Sequence, residues 1–131
     1  MRSPILQINE GNIVRVIPGC HWELKQFYNQ CGLVLEVTGD RAEVMLTGYD
    51  LSLKLDYLTV VNKYDLEASN LIYRIGKLAR SPVIKSDEIV MEILRDFARR
   101  PYPKLNEQEE SFLSVIETYI YQGFRLGRQK L

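Results

Sequence analysis

The sequence has little of the side-chain chemistry on which catalysis and metal binding depend. Its 131 residues include one histidine, one tryptophan and two cysteines. A structural zinc site takes four ligands, whereas Cys20, His21 and Cys31 are the only soft ligands in the chain. A nucleophilic cysteine or serine needs a base that faces it, and His21 is the single histidine. We therefore predict no metal, no cofactor, no catalytic residue and no small-molecule substrate, and a protein that is not an enzyme.

An excess of charge is also missing, since 17 lysines and arginines balance 17 aspartates and glutamates. Proteins that bind nucleic-acid backbones are usually basic, so the balance favours another kind of partner. The charge is nevertheless uneven along the chain. Residues 1–62 carry five basic and seven acidic side chains, and residues 63–131 carry twelve and ten. A local basic surface in the second half of the chain therefore remains an alternative.

No apolar run approaches the roughly 18 residues that cross a bilayer. Residues 1–7 lack the apolar stretch of a secretory signal, and two cysteines do not make a disulfide framework. We expect a cytoplasmic protein with free thiols and no membrane partner. Its composition, 46% hydrophobic and 26% charged, is that of an ordinary globular protein.

From residue 11 to residue 61, the sequence contains a series of short segments in which apolar and polar residues alternate. A period of two residues indicates strands. The predicted strands are residues 13–17, 33–37, 42–47, 51–56 and 59–61. Gly39-Asp40 is typical of a two-residue hairpin turn, because glycine adopts positive φ at little cost. Gly48-Tyr49-Asp50 is the next predicted turn.

The alternation also predicts which residues share a face. On the second strand Leu33, Leu35 and Val37 should lie on one face. On the third strand Ala42 and its alternate neighbours Val44 and Leu46 should do the same.

Five short strands in such a segment should curl and close, because closure removes exposed edges. Their order, with a long loop after the first strand and a short turn before the last, resembles the SH3-like barrels, including the KOW and Tudor-type modules. The resemblance covers residues 11–61 and implies fold more than function. We predict an α+β protein with a five-stranded SH3-like β-barrel in residues 1–62 and a three-helix subdomain in residues 63–131.

The long loop from Pro18 to Gly32 is the predicted binding site, because its aromatic side chains can stack on bases or grip a peptide. The candidate partner-binding residues are Trp22, Lys25, Phe27, Tyr28 and Tyr49. In the alternative interpretation, Trp22 and Phe27 fold back and plug the open end of the barrel, since large aromatic residues are usually buried. Tyr28 and Tyr49 are the better candidates for exposure.

After residue 64 the hydrophobic period changes to that of helices. Asp65 is predicted to cap the first helix and Ser86 the second. Asn106 with Glu109 forms a capping-box-like start to the third. Three amphipathic helices suffice for a small bundle.

Basic residues form loose clusters on these helices and on the connector before the third. The candidates for a nucleic-acid surface are Arg74, Lys77, Arg80, Arg99, Arg100 and Lys104. If the clusters converge, they make a patch that faces phosphates. Otherwise they belong to solvated helix faces, with acidic neighbours such as Glu92 and Asp96.

Residues 101–131 combine a glutamate-rich helix start with the run Gly-Phe-Arg-Leu-Gly at residues 123–127. In this they resemble the C-terminal part of small helical proteins of unknown function from gut Firmicutes and their mobile elements. The resemblance brings no activity with it, and it implies the gene of a phage or integrated element. Gly123 and Gly127 share a helix face, which indicates a close helix contact or a frayed end.

Two functions are consistent with these features. In the first, the protein is a non-catalytic interaction protein, an inhibitor or regulator from a mobile element that binds a host or defence protein, for example an anti-CRISPR type inhibitor. In the second, it is a nucleic-acid-binding accessory protein that combines a KOW- or Tudor-like barrel with a basic helical face. A structural subunit docked in a larger complex is a third option. Neutral net charge favours the first.

Overall fold

The computed structural model describes the backbone of residues 7–62 and 65–129 and the side chains of residues 7–61 and 65–121. Antiparallel strands come first and α-helices follow. The strands are β1 (Ile13–Val16), β2 (Cys31–Thr38), β3 (Arg41–Leu46), β4 (Tyr49–Lys54) and β5 (Leu58–Asn62). The α-helices are α1 (Leu66–Leu78), α2 (Pro82–Lys85), α3 (Glu88–Ala98) and α4 (Glu107–Gln129). Two 3₁₀ helices lie between strands, Trp22–Phe27 after β1 and Leu55–Tyr57 after β4.

The strands form one antiparallel sheet in the order β4-β3-β2-β1-β5, so β4 and β5 are its outer strands. The predicted α+β class and five strands are confirmed, and closure into a barrel stays a prediction. The turn predicted at Gly39-Asp40 is confirmed, and Gly39 has a φ of 61°. The next turn lies at Thr47-Gly48, so Tyr49, predicted as a turn residue, begins β4 instead.

Both faces of β1 and of the first half of β2 are buried or half-buried. One face contributes to an interior core that draws on every strand. Its buried strand residues are Val14, Val16, Val34, Ala42, Val44, Leu46, Leu53 and Leu58. The other face of β1 and β2 packs against α1, where Ile13 and Cys31 meet Ala68 and Ile72. The first helix therefore covers a sheet face that would otherwise expose apolar side chains.

A β-bulge between Val34 and Glu36 corrects the predicted faces of β2. Leu33 packs on the α1 side, whereas Val37 packs against the interior core. Because a bulge adds one residue to one strand, it shifts the alternation and moves later side chains to the other face. The prediction that Leu33 and Val37 share a face is therefore wrong, while the shared face of Ala42, Val44 and Leu46 is confirmed.

Two of the predicted helix starts are confirmed. Asp65 Oδ1 accepts a hydrogen bond from the amide of Ala68 at 3.0 Å and caps α1. At the start of α4, the side chains of Asn106 and Glu109 each accept from the other residue's backbone amide at 2.9 Å. These reciprocal bonds form the capping box.

The prediction for the second helix is wrong in two respects. Pro82 begins a short additional helix, α2, because proline at the first helical position gives up no needed amide hydrogen. The cap of α3 is then Asp87, whose Oδ1 accepts from two backbone amides at 3.1 Å, and not Ser86. The hydroxyl of Ser86 donates instead to the carbonyl of Val83 at 2.9 Å.

The helices share a second core that contains Leu71, Ile75, Leu94, Phe97 and Leu113. The predicted domain division after residue 62 stays a prediction, and residues 63 and 64 lie outside the described ranges. The backbone of α4 remains helical through residues 123–127, but the side chains there lie outside the description, as does any contact at the two glycines. No helix in the described parts of the chain is long and apolar enough to cross a bilayer.

Candidate interaction surface

The predicted binding loop, Pro18 to Gly32, contains the 3₁₀ helix Trp22–Phe27, and its last two residues already belong to β2. Hydrogen bonds hold both ends of this 3₁₀ helix. At its start His21 Nδ1 accepts a hydrogen bond from the amide of Glu23 at 3.1 Å. At its end the hydroxyl of Tyr28 donates to the carbonyl of His21 at 2.8 Å. Phe27, 5% exposed, belongs to the interior core. The segment therefore presents its outer side chains from a rigid base.

The candidate residues of this loop divide between surface and core. Trp22 is 77% exposed, so the interpretation that it plugs the barrel is wrong, whereas Phe27 is buried as that interpretation predicts. Lys25 is exposed and Tyr28 is half-buried. Tyr49 is 44% exposed. Its ring lies nearly perpendicular to that of Phe27, with 5.6 Å between the ring centres, and Lys85 Nζ on α2 lies 4.7 Å from the centre of the Tyr49 ring.

A groove of about 320 Å³ runs between the 3₁₀ helix and the β3–β4 hairpin. We call it the aromatic groove and define it by His21, Glu23, Arg41, Lys54 and Tyr57. The imidazole of His21 stacks on Trp22 with 5.9 Å between ring centres and lies 5.9 Å from the ring of Tyr57. Lys54 Nζ lies 6.0 Å from the centre of the Tyr57 ring. Aromatic surface and positive charge thus meet at one place.

A second groove of about 320 Å³ continues along the outer face of β2, β3 and β4. We call it the acidic groove and define it by Glu36, Glu43 and Asp50, together with Arg41 and Ser52. Arg41 and Ser52 line both grooves. The two grooves therefore adjoin at these two residues.

Strand register places like charges opposite each other in both grooves. Arg41 on β3 pairs with Lys54 on β4, and Glu36 on β2 pairs with Glu43 on β3. The Arg41 guanidinium donates to the hydroxyl of Ser52 at 3.1 Å and to its carbonyl at 2.9 Å. Within residues 7–61 and 65–121, none of these four charged groups has an oppositely charged partner within 4.0 Å.

Most of the predicted nucleic-acid candidates are instead engaged in ion pairs with carboxylates. The pairs are Arg74 with Glu110 and Glu117, Arg80 with Asp50, Arg99 with Glu92, and Arg100 with Glu109. Lys77 Nζ lies 5.6 Å from the centre of the Tyr121 ring. Lys104 is exposed, without a carboxylate within 4.0 Å in the described part of the chain. Of the six candidates, the four arginines are thus paired with carboxylates, and the two lysines are not paired within the described side chains.

Two of these pairs shift the pKa of their members. The hydrogen bonds from Arg100 and from the Asn106 amide lower the pKa of Glu109 to about 2. The hydrogen bonds that Arg74 donates to Glu117 and Glu110 raise the pKa of its guanidinium, although partial burial opposes this. These groups stay charged across the ordinary pH range, which suits a structural role better than proton transfer.

The soft ligands noted in the sequence do not form a site. Cys31 is buried on β2, and this burial raises the pKa of its thiol although Arg15 acts in the opposite direction. His21 Nδ1 is occupied as the helix cap. No group of three or more histidine, cysteine, aspartate or glutamate side chains in the described residues is placed to hold a metal ion.

A further concavity of about 340 Å³ lies between the first turn of α1 and the connector before α4. Its lining includes Arg74 and Glu110, which already pair with each other at 2.7 Å. Asp65, also in its lining, is the cap of α1. Three of its five charged lining residues thus already have protein partners, whereas Lys104 and Glu67 have no oppositely charged partner within 4.0 Å in the described part of the chain.

Sequence reasoning found Trp22 but missed Arg41, Lys54 and Tyr57. Alternation does place Arg41 and Lys54 on an exposed face, and that was the available signal. Their pairing depends on the hairpin register, and the approach of Tyr57 depends on the 3₁₀ turn after β4.

Comparison with known proteins adds no relative to this description. No protein-family model matches the chain, no curated protein matches it, and no solved structure matches it.

Proposed function

We propose that the protein is a non-catalytic interaction protein that binds a protein partner through the aromatic groove. The observation that carries this proposal is Trp22, an indole that is 77% exposed on a 3₁₀ helix fixed at both ends. Tryptophan, tyrosine and arginine are the residues that dominate binding energy at protein interfaces. Tyr57 and Arg41 line the aromatic groove, and Trp22 lies beside it, stacked on the lining residue His21.

We also propose that the sheet is the wall of an SH3-like barrel. The strand order β4-β3-β2-β1-β5, the long connection after β1 and the 3₁₀ turn before β5 support this. So does an interior core built from all five strands, because a flat sheet does not bring both outer strands to one cluster. In such a barrel the aromatic groove lies on the outside, between a loop and a hairpin.

The nucleic-acid alternative draws less support from the contacts. It requires a basic helical face, yet Arg74, Arg80, Arg99 and Arg100 each pair with a carboxylate. A phosphate backbone would have to displace those partners before it gained the same charges.

We make a separate proposal about the identity of the partner. The resemblance of residues 101–131 to helical proteins of mobile elements supports an inhibitor or regulator of a host or defence protein. This proposal predicts that affinity capture from a host cell recovers a host or defence protein in stoichiometric amount.

The test uses affinity capture from a host lysate with the wild type, with Trp22→Ala and with Ile89→Ala. Ile89 is 76% exposed on α3 and serves as the matched control. We expect one stoichiometric protein with the wild type and with Ile89→Ala, and its loss with Trp22→Ala. Equal recovery with all three variants would place the interface elsewhere.

The same tryptophan provides a direct readout with the purified partner. Because Trp22 is the single tryptophan of the chain, its fluorescence reports this groove alone when the partner lacks tryptophan or carries a non-fluorescent analogue. We expect a blue shift on binding, as the indole leaves water. Binding without any spectral change would contradict the proposed site.

A further inference from the structure

The outer face of β2, β3 and β4 carries two like-charge pairs that a ligand with the opposite charges would stabilise. Like charges placed directly opposite each other on a sheet are destabilising. Here two such pairs of opposite sign, Arg41–Lys54 and Glu36–Glu43, lie next to each other along β3. Neither pair has a counter-charge within 4.0 Å in the described chain. A ligand that supplied both counter-charges would relieve both repulsions.

The spacing of the two pairs fits an extended chain. Arg41 and Glu43 are alternate residues on one strand, so both point outward from the same face. Alternate residues of a strand are about 7 Å apart along its axis. An extended peptide that runs along β3 has the same repeat, so its own alternate side chains can meet both positions.

We propose, on the basis of the proposed function, that the joined grooves bind an extended peptide segment of mixed charge. An acidic side chain pairs with Arg41 and Lys54. A basic side chain two positions away pairs with Glu36 and Glu43. An apolar or aromatic side chain nearby packs against Trp22 and Tyr57.

The flanking carboxylates favour a peptide over a nucleic acid. The positive pair is bordered by Glu23 on one side and by Glu43 on the other. A polyanion long enough to use the aromatic groove would bring phosphates against these acidic side chains. A peptide with a single carboxylate places a basic side chain, and not a second anion, next to Glu43.

The experiment selects 12-residue peptides from a random display library on the full-length protein. Enriched peptides are then synthesised with a fluorescent label, and their dissociation constants are measured by anisotropy. We expect enriched peptides to carry an acidic and a basic residue two positions apart, with an apolar or aromatic residue close by. Absence of enrichment, or enrichment without this charge pattern, overturns the proposal.

Charge reversal tests each end of the groove. Lys54→Glu and Glu43→Lys should each weaken the selected peptides about 10-fold or more, because each replaces an attraction by a repulsion. The matched controls are Lys104→Glu and Glu67→Lys, which both lie at the concavity beside α1. They should leave the affinity within about 2-fold. Equal loss for all four variants would show that the effect is not specific to the two grooves, and it overturns the proposal.

Two further measurements distinguish the possible reasons for a negative result. A labelled 20-nucleotide single strand should not bind at moderate salt; tight binding that weakens steeply with salt overturns the peptide proposal in favour of a nucleic acid. Trp22→Ala distinguishes the two proposals. If the selected peptides need Trp22 but ignore the charge reversals, the mixed-charge inference fails and the interaction groove stands. If a natural partner and the peptides both ignore Trp22→Ala, the proposed function itself fails.

Discussion

Trp22 and Phe27 belong to one 3₁₀ helix, yet one is 77% exposed and the other 5%. A 3₁₀ helix has three residues per turn, so side chains five positions apart point to different sides. Phe27 therefore anchors the segment in the interior core, while Trp22 stays exposed to solvent. Tyr57, the remaining large ring of the groove, comes from a separate element.

Gly76 shows how a single position decides the contact between α1 and the sheet. A β-carbon added there would lie 2.7 Å from both Cγ and Sδ of Met45, which is buried on β3. We expect Gly76→Ala to destabilise the protein by about 1 kcal/mol, since overpacking exceeds the gain of alanine in helix propensity. Urea unfolding measures this change.

Shortening the opposing side chain provides the control for Gly76. In a Met45→Ala background the crowding is absent, so Gly76→Ala should become neutral or stabilising. The same loss of stability in both backgrounds would show that crowding by Met45 is not the cause.

At the scale of elements, the start of α4 is held by a small charged network. Glu109 accepts from the amide of Asn106 at 2.9 Å and pairs with Arg100, whose guanidinium also donates to the carbonyl of Lys104 at 3.2 Å. The same carboxylate thus completes the capping box and ties α4 to the end of α3. The geometry of this network depends on the Glu109 carboxylate remaining charged.

The lowered pKa of Glu109 predicts how this network responds to acid. The pKa falls from the ordinary 4.5 to about 2 in the folded protein, so the folded state stabilises the charged form. That stability is fully present above pH 4.5 and is lost as the pH falls toward 2. We expect the difference in unfolding free energy between wild type and Glu109→Gln to be largest at pH 6 and to shrink by pH 3.

Glutamine is the suitable replacement because its side-chain oxygen can still accept from the Asn106 amide. Urea unfolding at a series of pH values measures the difference while the other carboxylates remain common to both proteins. A difference that does not change between pH 6 and pH 3 would contradict the assignment.

At the scale of the whole molecule, Arg15 joins the sheet to the helices. Its guanidinium donates to the carbonyl of Asn29 at 2.6 Å and to those of Arg99, Arg100 and Pro101 at 3.2, 2.5 and 3.0 Å. A cation at the C-terminal end of α3 also complements the helix dipole. One side chain of β1 thus binds the carbonyls of the C-cap residue of α3 and of the two residues after it, about 85 residues away in sequence.

Removal of the Arg15 guanidinium should weaken the contact between β1 and the segment that follows α3. We expect Arg15→Met to destabilise the protein by about 2 kcal/mol, because it leaves several carbonyls without a charged donor. Hydrogen exchange at the end of α3 should increase with it. The control is Arg95→Met, which removes a partly exposed ion pair with Glu92 and should cost under about 1 kcal/mol. If both variants lose the same small amount of stability, Arg15 does not hold β1 to the segment that follows α3.

Local patterns were sufficient where a few neighbouring residues settle the outcome. The hairpin turn at Gly39-Asp40 and the capping box of Asn106 and Glu109 follow from backbone preferences and hydrogen bonds within four residues. Where two local solutions compete, sequence reasoning selected the wrong one. Ser86 and Asp87 both cap helices well, and the short helix begun by Pro82 decided between them.

The sequence by itself determined the α+β class, the five strands, the cap of α1 and the exposure of charged side chains on alternate strand positions, because period and capping are local properties. Only the tertiary structure decided the bulge in β2, the pairing of Arg41 with Lys54 and of Glu36 with Glu43, and the exposure of Trp22. These depend on register and on which face of an element meets the core. Contacts between distant residues fix both, and the linear pattern does not contain them.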